Sequence, residues 1–284
     1  MGDQWEFLKP AALAALCMSP VHGLFGLHIV RRGVIFIDLA VAQVAALGMA
    51  FAITRGFEPE SPQAYWTSVC AALIGALLIS LTRFRLGRVP HEAMIGIVFV
   101  VASAGSIILL QYADHGQELL KSILDGQILL VQMDQVEHTA IAYGIIVVAL
   151  LALWKPITRI SLGAASAPKG AAGVVLDFLF YAMLGFVVAS SVRIAGVLVV
   201  FTWLVMPAVV ALMWTGSMLK SALVALPLSW FASLGGLYLS LRADDSLGGW
   251  PPGASIVLVF GGVTAASYCA RLLLPAGAGE NGSS

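Results

Sequence analysis

The sequence predicts an all-α protein that crosses a membrane about nine times, with eight crossings as the lower reading. Three observations point there. Hydrophobic residues make up 60% of the 284-residue chain and charged residues 11%, with a mean hydropathy of +0.96, far outside the composition of soluble domains. Apolar runs of about 20 residues, each long enough to cross a bilayer as a helix, follow one another along the chain. Most of the lysines, arginines and acids fall in the short segments between those runs. Helices are expected because a backbone in hydrocarbon must satisfy its own hydrogen bonds.

The same composition limits function. A formal net charge of zero gives no basic surface for nucleic acid. Cys17, Cys70 and Cys269 lie in apolar runs with no close partner, so neither a disulfide framework nor a zinc knuckle is indicated. One transmembrane domain is expected over 1–274, followed by a disordered tail over 275–284. The first nine residues carry Asp3 and Glu6 rather than a basic leader, so the first apolar run is expected to stay in the mature chain.

The first span is read over 10–30, opened by Pro10, which suits a helix's first turn. Pro20, Gly23 and Gly26 within it permit a kink or close approach by a neighbouring helix. Arg31 and Arg32 end it. The second span, 34–54, is rich in alanine and glycine, as suits a helix in the middle of a bundle. The third, 64–82, runs into Arg83, Arg85 and Arg88, and the fourth, 93–110, starts beside His91 and Glu92. Between 111 and 138 the chain is broken and acidic. Leu119, Leu120, Ile123 and Leu124 recur there at helical spacing, which predicts a short amphipathic outer helix ended by Gly126. A fifth span over 139–154 leads to a basic loop with Lys155, Arg159 and Lys169, and the last four spans are read over 174–192, 196–214, 219–241 and 254–274.

Lysine and arginine set the orientation. With Arg31 and Arg32 cytoplasmic and spans alternating, the other basic clusters fall inside and the acidic loops outside, giving an external N-terminus and an internal C-terminus. Arg193 is the exception on the outer side, where an acid is a possible partner.

The chemistry concentrates in 31–48. Asp38 and Gln43 sit inside an apolar run, and an ionisable group in a spanning helix marks a pathway or a partner. The other reading places Asp38 near the headgroups beside the two arginines. His22 and His28 lie six residues apart, about 120° from alignment on a helix, so they make no pair of metal ligands. Asp177 and Glu92, at helix starts, read as helix-dipole partners. The segment 163–170 resembles a phosphate loop superficially, but Pro168 stands where its second glycine belongs and Gly170 where a Ser or Thr would hold magnesium. No catalytic constellation is found, and energy from ATP would have to come through another subunit.

Several stretches resemble one family: Arg31-Arg32 followed by Asp38; Glu92-Ala-Met-Ile-Gly-Ile-Val98; Leu124-Asp-Gly126-Gln-Ile-Leu129; and Val192-Arg-Ile-Ala-Gly196 running to Phe201, with Met206-Pro207-Ala208. Their joint order is similar to that of the membrane subunits of bacterial ABC importers for divalent metals, the zinc and manganese uptake type. The resemblance implies a multi-pass permease of the bacterial inner membrane that binds no cofactor itself. It also implies a homodimer or a pair with a close relative around a central path, two cytoplasmic ATPase subunits that use ATP, and an external metal-binding protein that delivers the ion. A short cytoplasmic segment would engage the ATPase, and by place and length it is the loop with Lys155, Arg159 and Lys169.

The family pattern places a histidine four residues after the aspartate and five before a glycine. Counted from Asp38 that position is Ala42; counted back from Gly48 it is Gln43. A single π-type turn between Asp38 and Gln43 would reconcile the two counts and is expected here. Gln43 replaces a zinc-preferring imidazole by an amide oxygen, better suited to hard or hydrated ions. Asp38, Gln43 and His22 are therefore the candidate path residues for a transported zinc or manganese ion. A chelate permease (siderophore or cobalamin) and an ATP-independent secondary transporter are the alternatives.

Overall fold

The structure, a computed structural model, describes residues 2–85, 90–113, 116, 126–242 and 250–273, with side chains described from residue 8 onward and not for 82–85. Regular structure among them is entirely helical. In chain order the helices are α1 (Gly2–Arg32), α2 (Ile37–Thr54), α3 (Pro62–Arg85), α4 (His91–Leu110), α5 (Met133–Ala152), α6 (Trp154–Ser161), α7 (Gly170–Ala195), α8 (Val197–Trp214), α9 (Met218–Arg242) and α10 (Pro252–Leu273), with one 3-10 turn at Ile128–Leu130. Among the described residues nine of these helices are long and apolar enough to cross a membrane, and only α6 is too short.

The predicted spans match these nine; α1, α3, α7 and α9 extend beyond them at both ends, and α2 starts three residues later, at Ile37. α5 starts at Met133, six residues before the predicted start, because Asp134 falls in its first turn, where a carboxylate complements the helix dipole. α1 runs through Pro10 and Pro20 as one helix. The basic loop between the fifth and sixth spans contains a helix, α6. The predicted outer amphipathic helix around 119–124, Arg88, the acids at 114, 118, 125, 244 and 245, and the tail over 275–284 lie outside the described residues.

The chain divides into two compact units. The first comprises 1–30, 127–145 and 198–284; the second comprises 31–126 and 146–197. In the first unit α1 packs on α8 and α9. A Cβ on Gly26 would overlap the Leu204 carbonyl oxygen and come within 3.2 Å of Ala208, so this glycine sets the closeness of the α1–α8 crossing. Trp230 Nε1 donates to the Leu16 carbonyl at 2.8 Å, and the fully buried Trp203 donates to Ser233 Oγ at 2.9 Å.

In the second unit α2 is the central helix, packed on α3, α4 and α7. Its alanines and Gly48 permit that. A Cβ on Gly48 would stand 2.8 Å from the Thr67 carbonyl oxygen of α3, and Ser68 Oγ donates across to Ala45 O at 2.9 Å. Between membrane helices small residues let backbones approach, and close van der Waals packing supplies the association energy. Gly48→Val is expected to destabilise the fold by about 1–3 kcal/mol through overpacking, measurable as a lower denaturant midpoint for loss of helicity in detergent.

Several hydroxyls inside the spans are satisfied locally. Ser106, Ser191, Ser229 and Thr202 each bond the carbonyl four residues back, which removes an unpaired polar group from hydrocarbon. Two of the motif stretches also meet. Gly126, at φ +69, lies against the backbone of Ala195 and Gly196, the latter at φ +80. Both positions hold a left-handed backbone that glycine adopts without a Cβ penalty, and at Gly126 a Cβ would overlap Ala195.

Candidate translocation path and coupling site

Asp38 lies in the first turn of α2, is 1% exposed, and its Oδ1 has no hydrogen-bond partner. Burial at this level encloses the carboxyl group in protein. α2 is α-helical without a π-type turn from Ile37 to Thr54, so the expected π-turn is absent. In consequence Asp38 and Gln43 are separated by about 140° around the helix, and the residue stacked on Asp38 is Ala42, about 40° away. Gln43 is buried at 7% exposure and Ala42 at 1%. The position one turn above the carboxylate is thus filled by a methyl group, and Gln43 presents its amide to a different side of the helix.

His22 belongs to the first unit. Its ring is fully buried, with centroids 6.2 Å from Tyr143 and 5.9 Å from Trp203. Nδ1 lies 2.8 Å from the Met18 carbonyl, and since a carbonyl only accepts, Nδ1 carries the proton and donates. The imidazole is therefore held by its own helix and by aromatic packing. Among the described residues no three His, Cys, Asp or Glu side chains gather as a metal cage.

The coupling candidates are on the surface. α6 buries Ile157, Ile160 and Ser161 and exposes Lys155 and Arg159; residues four apart share a helix face, so the two cations project together. Lys169 is exposed at the residue before α7.

The largest departure from expectation concerns Asp177. α7 begins at Gly170, four residues before its predicted start, which puts Asp177 beyond the first turn and out of reach of the dipole role. Instead its Oδ1 accepts from Arg32 Nη1 at 2.8 Å, both side chains being 2% exposed or less. Arg32 Nε donates to Ser161 Oγ at 2.9 Å. The guanidinium carbon sits 4.1 Å above the Phe180 ring and 5.2 Å from that of Tyr181. Glu92 adds a bond from the neighbouring helix: its Oε1 accepts the Phe36 backbone N–H at 3.3 Å, in the turn before α2. At the other end of α7, Arg193 lies 5.0 Å over the Tyr65 ring.

This buried ion pair was missed from sequence although a signal existed. The alternation of spans puts Arg32 and Asp177 at the same membrane face, and a carboxylate at the start of an apolar run can be matched by a cation there as well as by the helix dipole. Ser161, Phe180 and Tyr181 carried no such signal, since they read as ordinary interior residues.

A multi-pass helical chain with a buried carboxylate in the central helix of one unit and a short amphipathic helix between two crossings has the form of a membrane transport subunit. The profile of the ABC 3 transport family matches residues 4–270, and the chain belongs to that family. It is a non-catalytic, multi-pass permease subunit of a bacterial ABC transporter, which sets aside the ATP-independent alternative.

The chain is 28% identical over 260 residues to the manganese transport system membrane protein MntC of Listeria monocytogenes, covering 90% of this chain and 88% of the relative. It is 23% identical over 246 residues to the chelated iron transport system membrane protein YfeC of Yersinia pestis, covering 86% and 81%. The fold is that of PsaBC from Streptococcus pneumoniae, solved in complex with Fab: the TM-score is 0.76 at 22% identity, over 94% of this chain and 93% of that one.

Proposed function

We propose that this subunit passes a divalent metal ion inward across the bacterial cytoplasmic membrane, manganese ahead of zinc, by alternating access in a permease dimer. The observation that carries the reading is Asp38, a buried carboxylate with an unbonded oxygen in the central helix of its unit. A carboxylate offers hard oxygens, which suit manganese better than zinc. A transport path needs weak, transient coordination, since an ion held tightly would not leave. Asp38 doubled across a dimer meets that need without a closed cage.

The ATPase subunits dock on α6 through Lys155 and Arg159, with Lys169 at the rim, and an external metal-binding protein delivers the ion. The cytoplasmic placement of α6 follows from the basic residues around it. It is supported by the contacts of Arg32, Glu92 and Asp177, which join helix ends that the orientation reading puts on one side. Lys155→Glu with Arg159→Glu is expected to lower ATPase co-purification about tenfold by placing unfavourable charge at the interface rim, read as subunit stoichiometry after gel filtration.

The deciding experiment is ATP-driven uptake of manganese, iron(II) and zinc by proteoliposomes carrying the full complex. Saturable manganese uptake supports the reading; no ATP-dependent uptake of any of the three overturns it. A chelate cargo is the second reading, favoured by the Yersinia pestis relative's name, and would appear as uptake only of chelator-bound iron.

A further inference from the structure

Arg32 occupies a place that neither the path nor the docking surface uses. It is the last residue of α1 and stands two residues into the second unit, at the start of the turn into α2. From there one side chain reaches two other elements: Nε bonds Ser161 at the end of α6, and Nη1 bonds Asp177 on α7. The aromatic rings of Phe180 and Tyr181 lie against the guanidinium, so the arrangement is packed as well as hydrogen-bonded. A planar guanidinium presents donors in a fixed fork, which a lysine ammonium cannot reproduce.

The site also has room to shift. Arg32, Glu92 and Tyr181 line a cavity of about 280 Å3 together with Gly33, Val34 and Pro90. Arg32 Nη2 and Glu92 Oε2 are both buried without a hydrogen-bond partner. Glu92 thus places an unbonded carboxylate oxygen on a residue of the same cavity wall as the guanidinium.

We infer that Arg32 is a positioning residue that transmits displacement of α6 to the α1–α2 turn and to α7, through its bonds to Ser161 and Asp177. This rests on α6 being the ATPase-engaging helix. When the ATPases move α6, Ser161 carries the guanidinium with it. Because Arg32 is covalently the end of α1 and five peptide bonds from Ile37, the start of α2 follows. Asp38, the next residue of α2, is carried with that start.

The test compares Ser161→Ala, which removes the bond to Arg32 Nε together with the hydroxyl's bond to the Ile157 carbonyl of its own helix, and Arg32→Lys, which keeps the charge but loses the fork, with the parent in the assembled complex. ATP hydrolysis is expected to stay within about twofold, while manganese taken up per ATP hydrolysed falls about threefold in Ser161→Ala and about tenfold in Arg32→Lys. A second readout does not depend on cargo. Hydrogen–deuterium exchange of the 33–36 backbone should change when a non-hydrolysable ATP analogue is added to the parent complex, and that change should shrink in both variants.

Unchanged uptake per ATP in Ser161→Ala, or an undiminished exchange response, overturns the inference. So does a proportional fall of hydrolysis and uptake together, which is the mark of a merely structural contact. If Arg32→Lys fails to assemble, Ser161→Ala decides alone. A parent that moves no metal but shows the exchange response, weakened in Ser161→Ala, overturns the metal reading and leaves the positioning role standing.

Discussion

An Asp38→Asn complex is expected to assemble and hydrolyse ATP yet take up manganese at less than about one tenth of the parental rate, with equal or higher thermal stability. Both halves follow from the same burial. Asp38 is 1% exposed, and its Oδ1 lacks a hydrogen bond. Arg32, six residues earlier in the chain, is bonded to Asp177 and Ser161 instead. A carboxylate kept in that state costs stability, and an amide of the same shape costs less. On the proposed path a passing cation requires the carboxylate, so the group would be held there at the expense of stability. Uptake rates in proteoliposomes and the unfolding midpoint in detergent check the two halves. Parental uptake of manganese, iron and zinc by Asp38→Asn would remove Asp38 from the path. A loss of uptake matched by a loss of stability would make it a structural residue instead.

Gly26→Ala is expected to destabilise the protein by about 3 kcal/mol or more. The added Cβ would overlap the Leu204 carbonyl oxygen, which is backbone and cannot rotate away. Relief requires α1 and α8 to separate, and that would also disturb the packing of His22 against Trp203. Gly262→Ala in α10 is the matched control. Nothing lies within 4 Å of a Cβ there, and alanine in a helix is favoured over glycine by up to about 1 kcal/mol. The yield of folded protein in membranes and resistance to denaturant should separate the two variants clearly. Equal stability of both would mean that α1 and α8 are not packed as described.

Much of this was legible in the residues. Apolar run length and the helical requirement of hydrocarbon gave the crossings, and a carboxylate inside the second run marked Asp38 as the residue needing an explanation. Spacing failed where it had to choose a rotation. The two counts placing the family histidine at Ala42 or Gln43 were reconciled by a π-turn, but α2 is α-helical throughout. Hydrogen-bond continuity along one helix is settled by its packing on α3, α4 and α7, none of which the spacing contains.

The sequence by itself determined the helical class, the crossings and the presence of a buried acid, because those follow from the transfer of side chains and backbone between water and hydrocarbon, a property each segment carries alone. Only the tertiary structure decided which acid has a partner. Asp177 is satisfied by Arg32, 145 residues away, and Asp38 retains an unbonded oxygen. It decided likewise that Gly26 is a contact and Gly262 is open. Pairing and close approach depend on distances between segments remote in the chain, and those distances exist only once the helices have packed.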